Sequence, residues 1–344
     1  MGPHRVSAVS LSPAERSLLE ARDPASFAGV LAVFTGAEVP GRGTPAIAGS
    51  YALDAEGLHF RPLFPFVSGL RYSARLDLGP GAPLVRNFDV APPTGEGPRV
   101  TAVFPSGDTL PENTLRVYVH FSRPMQPRDA ERHVRLEQAD GSVVPLAFVE
   151  VLHGLWDPRR TRLTLLFHPG RIKRGVAPGE RLGPPLRTGD TYQLVVDAAM
   201  RDASGLSLGS DFVWRIHATA PDRESPRAEG LRLTAPGDGG APLVVELPEP
   251  LDEALLHRLV WVEDALGRAV AGTAAVSDGE TRWSFRPERD WSPGRYGLRV
   301  HPALEDRAGN RFDRVFDRES GTGMTGDAAQ TPLRLEFAVQ TAGR

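Results

Sequence analysis

The chain contains no cysteine among its 344 residues. This absence excludes disulfides, thiolate metal ligands and a cysteine nucleophile. No run of about 18 apolar residues is present either, so the sequence predicts no membrane span. A basic excess is also missing, since 40 Lys and Arg residues stand against 43 Asp and Glu residues, for a net charge of −3. Proteins that bind nucleic acid through its phosphates normally carry such an excess, and we expect no nucleic-acid partner.

Two catalytic signatures are absent as well. The sequence has no His-Glu-x-x-His and no phosphate-binding loop. No two of its nine histidines are spaced by two or four residues, so zinc-type spacing is missing. His120, His153, His168 and Asp157 could meet in space, but hydrogen-bonded surface histidines explain them better. We therefore predict no catalytic residue, no metal site and no cofactor.

Two acidic turns, at 202–205 and 306–310, could offer oxygen ligands to calcium between domains. Each lacks the dense carboxylate set of a strong calcium site. Aspartates in such turns commonly accept hydrogen bonds from their own backbone. We favour self-capped turns at both positions.

Glycine and proline are plentiful, at 36 and 32 residues, a proportion that indicates many turns but stays below that of disordered chains. Prolines concentrate in two segments, 91–98 and 220–226, which predict short stiff linkers. A chain of this length has room for two or three domains. We place them at 1–95, 98–219 and 228–341.

A threefold internal repeat supports this division. Three stretches, 58–76, 165–196 and 283–300, read apolar-x-Phe-x-Pro, then a loop, then a glycine shortly before a tyrosine and alternating apolar residues. The loop is six residues long in the first and third copies, at 63–68 and 288–293. In the middle copy it spans 170–188, so this copy alone carries an insertion of about thirteen residues.

The repeats have the period of two that is typical of half-buried strands. Apolar and polar residues alternate strictly over 115–122, with Leu115, Val117, Val119 and Phe121 on one face and Arg116, Tyr118, His120 and Ser122 on the other. Helix is scarce: a capping box from Ser12 to Glu15 predicts a helix to about Ala21, and 252–258 predicts one or two turns. Many short strands separated by turns indicate an all-β chain of sandwiches.

Several of these segments resemble a known family. The run 103–125 (VFPSGDTLPENTLRVYVHFSRPM), the segment Gly189-Asp190-Thr191-Tyr192 and the turn at 202–205 resemble the bacterial Ig-like domain of surface-layer and other cell-envelope proteins. The third copy resembles it through PLVVELPEPLD and GRYGLRV, and the first copy only over 58–76. The resemblance implies tandem Ig-like β-sandwiches with little helix. Such modules act as spacers, adhesin segments and enzyme accessories.

The insertion of the middle copy is the candidate binding site. A loop longer than its sister copies require is a common place for function. Guanidinium groups beside an aromatic ring suit the carboxylate, sulfate or phosphate groups of an anionic polysaccharide. The opposing interpretation is that these cations are solvated or pair with the adjoining domain. The candidate ligand-binding residues are Trp156, Arg159, Arg160, Arg162, Arg171, Lys173 and Arg174.

These observations predict a non-enzymatic binding or spacer protein, either in the bacterial cell envelope or secreted. Its partner would be an anionic polysaccharide or another envelope protein. The first ten residues lack an apolar segment, so we expect a secretory signal to be absent or already removed. One alternative is a secreted polysaccharide-active or other hydrolytic enzyme with its site in an interdomain cleft. Another is a subunit of a larger envelope assembly, which would expose an apolar patch.

Overall fold

The computed structural model describes most of the chain, namely residues 6–9, 11–38, 44–64, 66–79, 81–91, 94–128, 130–151, 153–172, 182–237, 240–312 and 332–340. The chain forms two compact units. The first comprises 1–96 with 204–206, and the second comprises 97–203 with 207–344.

Helices are few and short in the described residues. They are α1 (Pro13–Glu20), α2 (Phe27–Val30), α3 (Pro169–Ile172) and α4 (Glu253–Leu259), with 3-10 turns at Pro24–Ser26, Ala130–His133 and Ala228–Gly230. The capping box that the sequence predicts is present, because Ser12 Oγ accepts from Glu15 N at 3.3 Å and Ser12 N donates to Glu15 Oε2 at 2.7 Å. None of the described helices has both the length and the apolar character needed to cross a membrane.

The first unit contains a six-stranded sandwich. Its strands are β1 (Val6–Val9), β2 (Leu31–Thr35), β3 (Gly49–Asp54), β4 (Gly57–Pro62), β5 (Arg71–Leu76) and β6 (Leu84–Asp89). One sheet has the order β1-β4-β3 and the other β2-β5-β6. Alternation along the strands turns Leu58 and Phe60 of one sheet and Val33 and Tyr72 of the other into a shared core.

The second unit begins with an eight-stranded sandwich. Its strands are β7 (Val100–Phe104), β8 (Thr109–Pro111), β9 (Arg116–Phe121), β10 (Val134–Gln138), β11 (Leu155–Trp156), β12 (Arg162–Leu166), β13 (Thr191–Val196) and β14 (Phe212–Thr219). The sheets have the orders β11-β12-β9-β7 and β10-β13-β14-β8, and the edge strand β8 runs parallel to β14. Their inner faces enclose one core, which includes Val117, Val119 and Leu194.

A seven-stranded sandwich follows in the same unit. Its strands are β15 (Arg232–Thr234), β16 (Leu243–Glu246), β17 (Val260–Asp264), β18 (Gly272–Ser277), β19 (Arg282–Pro287), β20 (Gly294–Val300) and β21 (Leu333–Val339). The sheets have the orders β15-β16-β19-β18 and β17-β20-β21. The first, second, fifth and fourth strands thus share one sheet and the third, sixth and seventh the other, which is the strand order of a constant-type Ig domain.

The three repeated segments occupy equivalent places. The Phe-x-Pro segment lies within the fifth Ig strand in the first and third sandwiches (β4 and β19) and directly after it in the middle one (β12). The following tyrosine is the second or third residue of the sixth strand (β5, β13 or β20). The tyrosines form the corner contact of Ig folds. Tyr72 OH accepts from Val67 N at 2.7 Å, Tyr192 OH accepts from Arg187 N at 3.0 Å, and Tyr296 OH donates to Ser292 O at 2.9 Å. The predicted all-β fold of tandem Ig-like sandwiches is confirmed.

Candidate functional site

A tight turn between β11 and β12 presents two of the predicted arginines. The Asp157 carboxylate accepts from Thr161 N at 2.7 Å, Arg162 N at 2.8 Å and Arg159 N at 3.3 Å. Partial burial alone raises the pKa of Asp157, but these backbone donors outweigh it and lower the pKa. Arg160 has a left-handed backbone, with φ of 57°. The turn is therefore held from within, and the side chains of Arg159 and Arg160 are exposed.

Arg159 and Arg160 have no acidic partner among the residues that the structure describes. Trp156 lies at the base of the turn and is half-buried, with its ring centroid 5.8 Å from that of Phe121. Its Nε1 atom is buried without a hydrogen-bond partner in the described part of the chain. Trp156 thus packs partly against the core and is only in part accessible to a ligand.

Two other predicted arginines have structural contacts. Arg162 is half-buried, and its Cζ lies 5.4 Å from the centroid of the Tyr118 ring. Arg171 is only 5 % exposed. Its guanidinium donates to Gly183 O at 2.8 Å, to Pro184 O at 3.1 Å and to Pro145 O at 2.5 Å. Arg171 therefore ties the described ends of the insertion to the sandwich instead of facing a ligand.

Lys173 and Arg174 lie outside the described residues. Of the seven candidate residues, the structure brings Trp156, Arg159 and Arg160 together at the β11–β12 turn. It places Arg171 separately, in α3.

The outer face of β9 carries a buried ionic cluster that the sequence analysis did not identify. Arg116 Nη1 lies 3.1 Å from Asp252 Oδ2 and 2.8 Å from Glu305 Oε2. Tyr118 OH donates to Asp252 Oδ2 at 2.7 Å. Burial raises the pKa of Asp252, and burial beside the Asp252 charge raises the pKa of Tyr118. Residues of the third sandwich thus cover the face that alternation alone assigns to solvent.

The cluster continues around Glu253 at the start of α4. Glu253 Oε1 lies 3.2 Å from His257 Nε2, and Glu253 Oε2 lies 3.7 Å from His120 Nε2. Burial alone raises the pKa of Glu253, but the two imidazoles outweigh it and lower the pKa to about 2. Nearby, the Glu280 carboxylate accepts from Ser106 N at 3.0 Å and from Arg307 Nη2 at 2.6 Å. Arginine or histidine therefore faces each of these three carboxylates: Glu253, Glu280 and Glu305.

A hydrolase with its site at this junction would need an open pocket around these groups. The cavity that Arg116, Tyr118, Asp252 and Glu253 line has a volume of about 10 Å³. A space of roughly 10–15 Å³ holds a single water molecule. The described part of the junction is packed, and its charged groups pair with one another.

The predicted self-capped turn at 306–310 is present. Asp306 Oδ1 accepts from Ala308 N at 2.8 Å and Asn310 N at 2.9 Å, and Oδ2 accepts from Asn310 Nδ2 at 2.8 Å. Burial, aided by the charge of Asp222, raises the pKa of Asp306 to about 7 against these hydrogen bonds. In the other turn Asp202 is buried, 3.3 Å from Arg123 Nη1. The carboxylates of both turns therefore have protein partners.

One group among the described residues has the spacing of a metal site, formed by Asp54, Glu56 and His59. His59 Nε2 lies 2.7 Å from Asp54 Oδ1, and His59 Nδ1 lies 2.7 Å from Ser7 Oγ. Both ring nitrogens are thus already hydrogen-bonded. The four residues His120, His153, His168 and Asp157 form no such group in the described part.

The loop between β4 and β5 is the most exposed apolar segment of the first unit. Phe64 is 76 % exposed, and Leu63, Val67 and Leu70 are exposed beside it in the sequence. Contiguous exposed apolar residues are typical of interaction surfaces. An exposed apolar patch is what we expect of a subunit in a larger envelope assembly.

Among known proteins, this chain is similar only to solved structures, and not to any family model or curated sequence. The N-terminal part of the bacterial S-layer protein SbsC is 13 % identical, covering 72 % of this chain and 45 % of that chain, with a TM-score of 0.25. The extracellular domains 3–5 of Drosophila OTK are 10 % identical, covering 99 % and 92 %, with a TM-score of 0.22. The Ig1-2 module of the Drosophila receptor tyrosine phosphatase DLAR is 13 % identical, covering 61 % and 93 %, also at 0.22.

This chain therefore spans less than half of the S-layer fragment. With TM-scores this low, the fold of the chain rests on its own strand order and its three tyrosine corners. By that strand order and those corners, the chain is an all-β protein of tandem Ig-like sandwiches.

Proposed function

We propose that the chain is a non-enzymatic binding or spacer protein of the bacterial cell envelope or exterior. We further propose that its domains span 1–95, 98–219 and 228–341. The strand order of each sandwich and the likeness of 103–125 to envelope Ig-like domains support this proposal. The matched charges of the junction cluster favour a structural role for that cluster over catalysis.

The proposed ligand is an anionic polysaccharide, bound at the β11–β12 turn. The observation that carries this proposal is the pair of exposed guanidinium groups of Arg159 and Arg160 on a turn that the Asp157 carboxylate holds in place. Such a turn offers fork-shaped donors at little conformational cost. The partly exposed Trp156 belongs to the proposed surface, and Lys173 and Arg174 of the insertion are further candidate residues for the same ligand.

Retention on immobilised heparin tests this proposal. We expect the double variant Arg159→Ala/Arg160→Ala to elute at lower salt than the wild type. Each lost contact to a sulfate group weakens the ionic binding to heparin, so less salt is needed to displace the protein. The variant Lys173→Ala/Arg174→Ala tests the insertion in the same way. Arg171 is left intact, because its removal would leave buried carbonyl groups without donors.

The matched control is Arg215→Ala/Arg232→Ala. It removes two exposed arginines from strands β14 and β15 and changes the net charge by the same amount. Equal shifts in the test and control variants would mean that heparin senses only net charge, and the site proposal would fail. A glycan array with and without EDTA then identifies the polysaccharide and tests the expectation that no metal takes part.

A further inference from the structure

The two sandwiches of the second unit differ at their fourth Ig strand. In the third sandwich this strand, β18, pairs with β19 over six positions, and its residues Ala274 and Val276 pack against the core. In the middle sandwich the equivalent strand, β11, has only two residues, which pair with Thr164 and Leu163 of β12. Part of one wall of the middle sandwich is therefore missing.

The chain leaves the sheet at this gap. Phe148 forms a bridge with Phe167, and Val149 N donates to Leu166 O at 2.8 Å. Pairing resumes only at Leu155 with Thr164. The described residues between these two contacts, 150, 151, 153 and 154, thus stand opposite Leu165 alone.

A pocket of about 220 Å³ lies behind this loop, between the two sheets and partly open to solvent. Most of its walls are aliphatic side chains, and several of them also belong to the core. The walls include Leu136, Val143, Ala147, Val149, Leu163 and Leu165, of which Leu136, Ala147, Leu163 and Leu165 are core residues. An apolar cavity of about 150 Å³ in another protein remains dry and binds benzene. Water in this pocket would have few hydrogen-bond partners, so an apolar ligand would displace it at low cost.

The mouth of the pocket shows two features of ligand-binding sites. Val143 and Leu146 are each 55 % exposed at its rim, although both are aliphatic. Leu146 and His153 have left-handed backbones, with φ of 47° and 70°. Non-glycine residues in this conformation cost free energy and cluster at ligand-binding segments.

The charge around the pocket disfavours an anionic ligand, because Glu150 also lines it. Arg135 is the cation that lines it, and Arg135 Nε already donates to Glu137 Oε1 at 2.6 Å. The same guanidinium lies within 4 Å of Asp197 and Asp211. No cation among the described lining residues is left to hold a carboxylate or phosphate head group.

We propose that this pocket binds the unbranched aliphatic chain of a neutral amphiphile. The chain takes the place that the inward side chains of a full-length fourth Ig strand fill in the third sandwich. This site is separate from the proposed polysaccharide surface, and its failure would leave that proposal intact.

A series of 1-alkanols from butanol to decanol tests the proposal on the full chain. We expect saturable shifts of the methyl resonances of Leu136, Leu163 and Leu165 in NMR spectra. Each added methylene should tighten binding by about fourfold, as burial of one CH₂ group predicts. The gain should stop once the pocket is full. Shifts that do not saturate, or affinity that rises without such a limit, would indicate general adsorption and overturn the proposal.

Substitutions locate the site. Ala147→Leu fills the pocket with an apolar side chain and should abolish the methyl shifts. Should that variant fold poorly, Val143→Ser at the rim should weaken binding several-fold. Val213→Ser is its matched control, because Val213 is a comparably exposed valine of the same sandwich that does not line the pocket. Equal binding by Val143→Ser and Val213→Ser would contradict the proposed location.

Discussion

Single residues in this protein show how burial changes the chemistry of a carboxylate. Asp140 and Asp306 both accept hydrogen bonds from the backbone two residues later in the chain. Asp140 is exposed, and hydrogen bonds from Ser142 lower its pKa. Asp306 is buried, and desolvation raises its pKa to about 7 despite similar bonds. The same local motif therefore stabilises the ionised form at one site and the protonated form at the other.

The raised pKa of Asp306 predicts a pH-dependent stability. Between about pH 4 and pH 7 the unfolded chain ionises this carboxyl while the folded chain keeps it protonated, so the contribution of Asp306 to the free energy of unfolding falls as pH rises. Asp306→Asn removes this dependence. Its unfolding free energy minus that of the wild type should rise by about 2–4 kcal/mol from pH 4 to pH 7.5 in urea titrations.

Asp140→Asn is the control for that measurement. The pKa of Asp140 is lowered. The unfolding free energy of Asp140→Asn minus that of the wild type should therefore show no rise over the same pH range. A flat difference for Asp306→Asn would mean that the folded protein ionises Asp306 at its ordinary pKa.

Among the elements, the short helix α4 contacts a neighbouring sandwich through the residue that caps it. Asp252 caps the helix, since its Oδ1 accepts from Leu255 N at 2.9 Å. The same carboxylate accepts from Tyr118 OH and lies beside Arg116 in the neighbouring sandwich. The Asp252 side chain thus caps α4 and also binds the outer face of β9. By contrast, Ser12 caps α1 through its local capping box.

Two substitutions at Asp252 separate these roles. Asp252→Ser keeps a helix cap and loses the ion pair, while Asp252→Ala loses both. We expect Asp252→Ala to reduce the free energy of unfolding by about 3–5 kcal/mol, because the largely buried Arg116 loses one of its two carboxylate partners. Asp252→Ser should recover about 1 kcal/mol of this loss. Denaturant titration at pH 7 measures both, and identical losses would show that the cap contributes nothing.

Sequence patterns predict the elements well and their contacts poorly. Alternation over 115–122 identifies β9 and its core face, and the Phe-x-Pro and tyrosine positions identify the fifth and sixth Ig strands. Alternation cannot show that another domain covers the polar face of β9, because the covering residues, such as Asp252 opposite Tyr118, lie more than a hundred positions away in the sequence. Burial of Arg171 was likewise not predictable, since its partners are backbone carbonyls, which any sequence supplies. The pocket had one unused signal in the sequence, the largely apolar run 143–152.

At the scale of the whole molecule, the second linker is not a free spacer. Asp222, in the proline-rich segment 220–226, donates its N–H to Asn113 Oδ1 at 2.8 Å and accepts from Asn113 Nδ2 at 2.5 Å. Leu115 N donates to Arg307 O at 3.0 Å across the same junction. With the ionic cluster around Arg116, these contacts explain why 97–203 and 207–344 form one compact unit. Ig-like sandwiches joined only by a linker would unfold independently.

This junction predicts that the middle and third sandwiches unfold together. In calorimetry of the full chain we expect a single transition for both, because unfolding of either sandwich removes the ion pairs and hydrogen bonds that stabilise the other across the junction. Arg116→Ala/Arg307→Ala should split that transition in two and make the linker sensitive to trypsin at Arg223. Arg215→Ala/Arg232→Ala, with the same charge change on exposed strand positions, should leave a single transition. Two separate transitions in the wild type, each matching one sandwich, would show that the junction charges do not couple the domains.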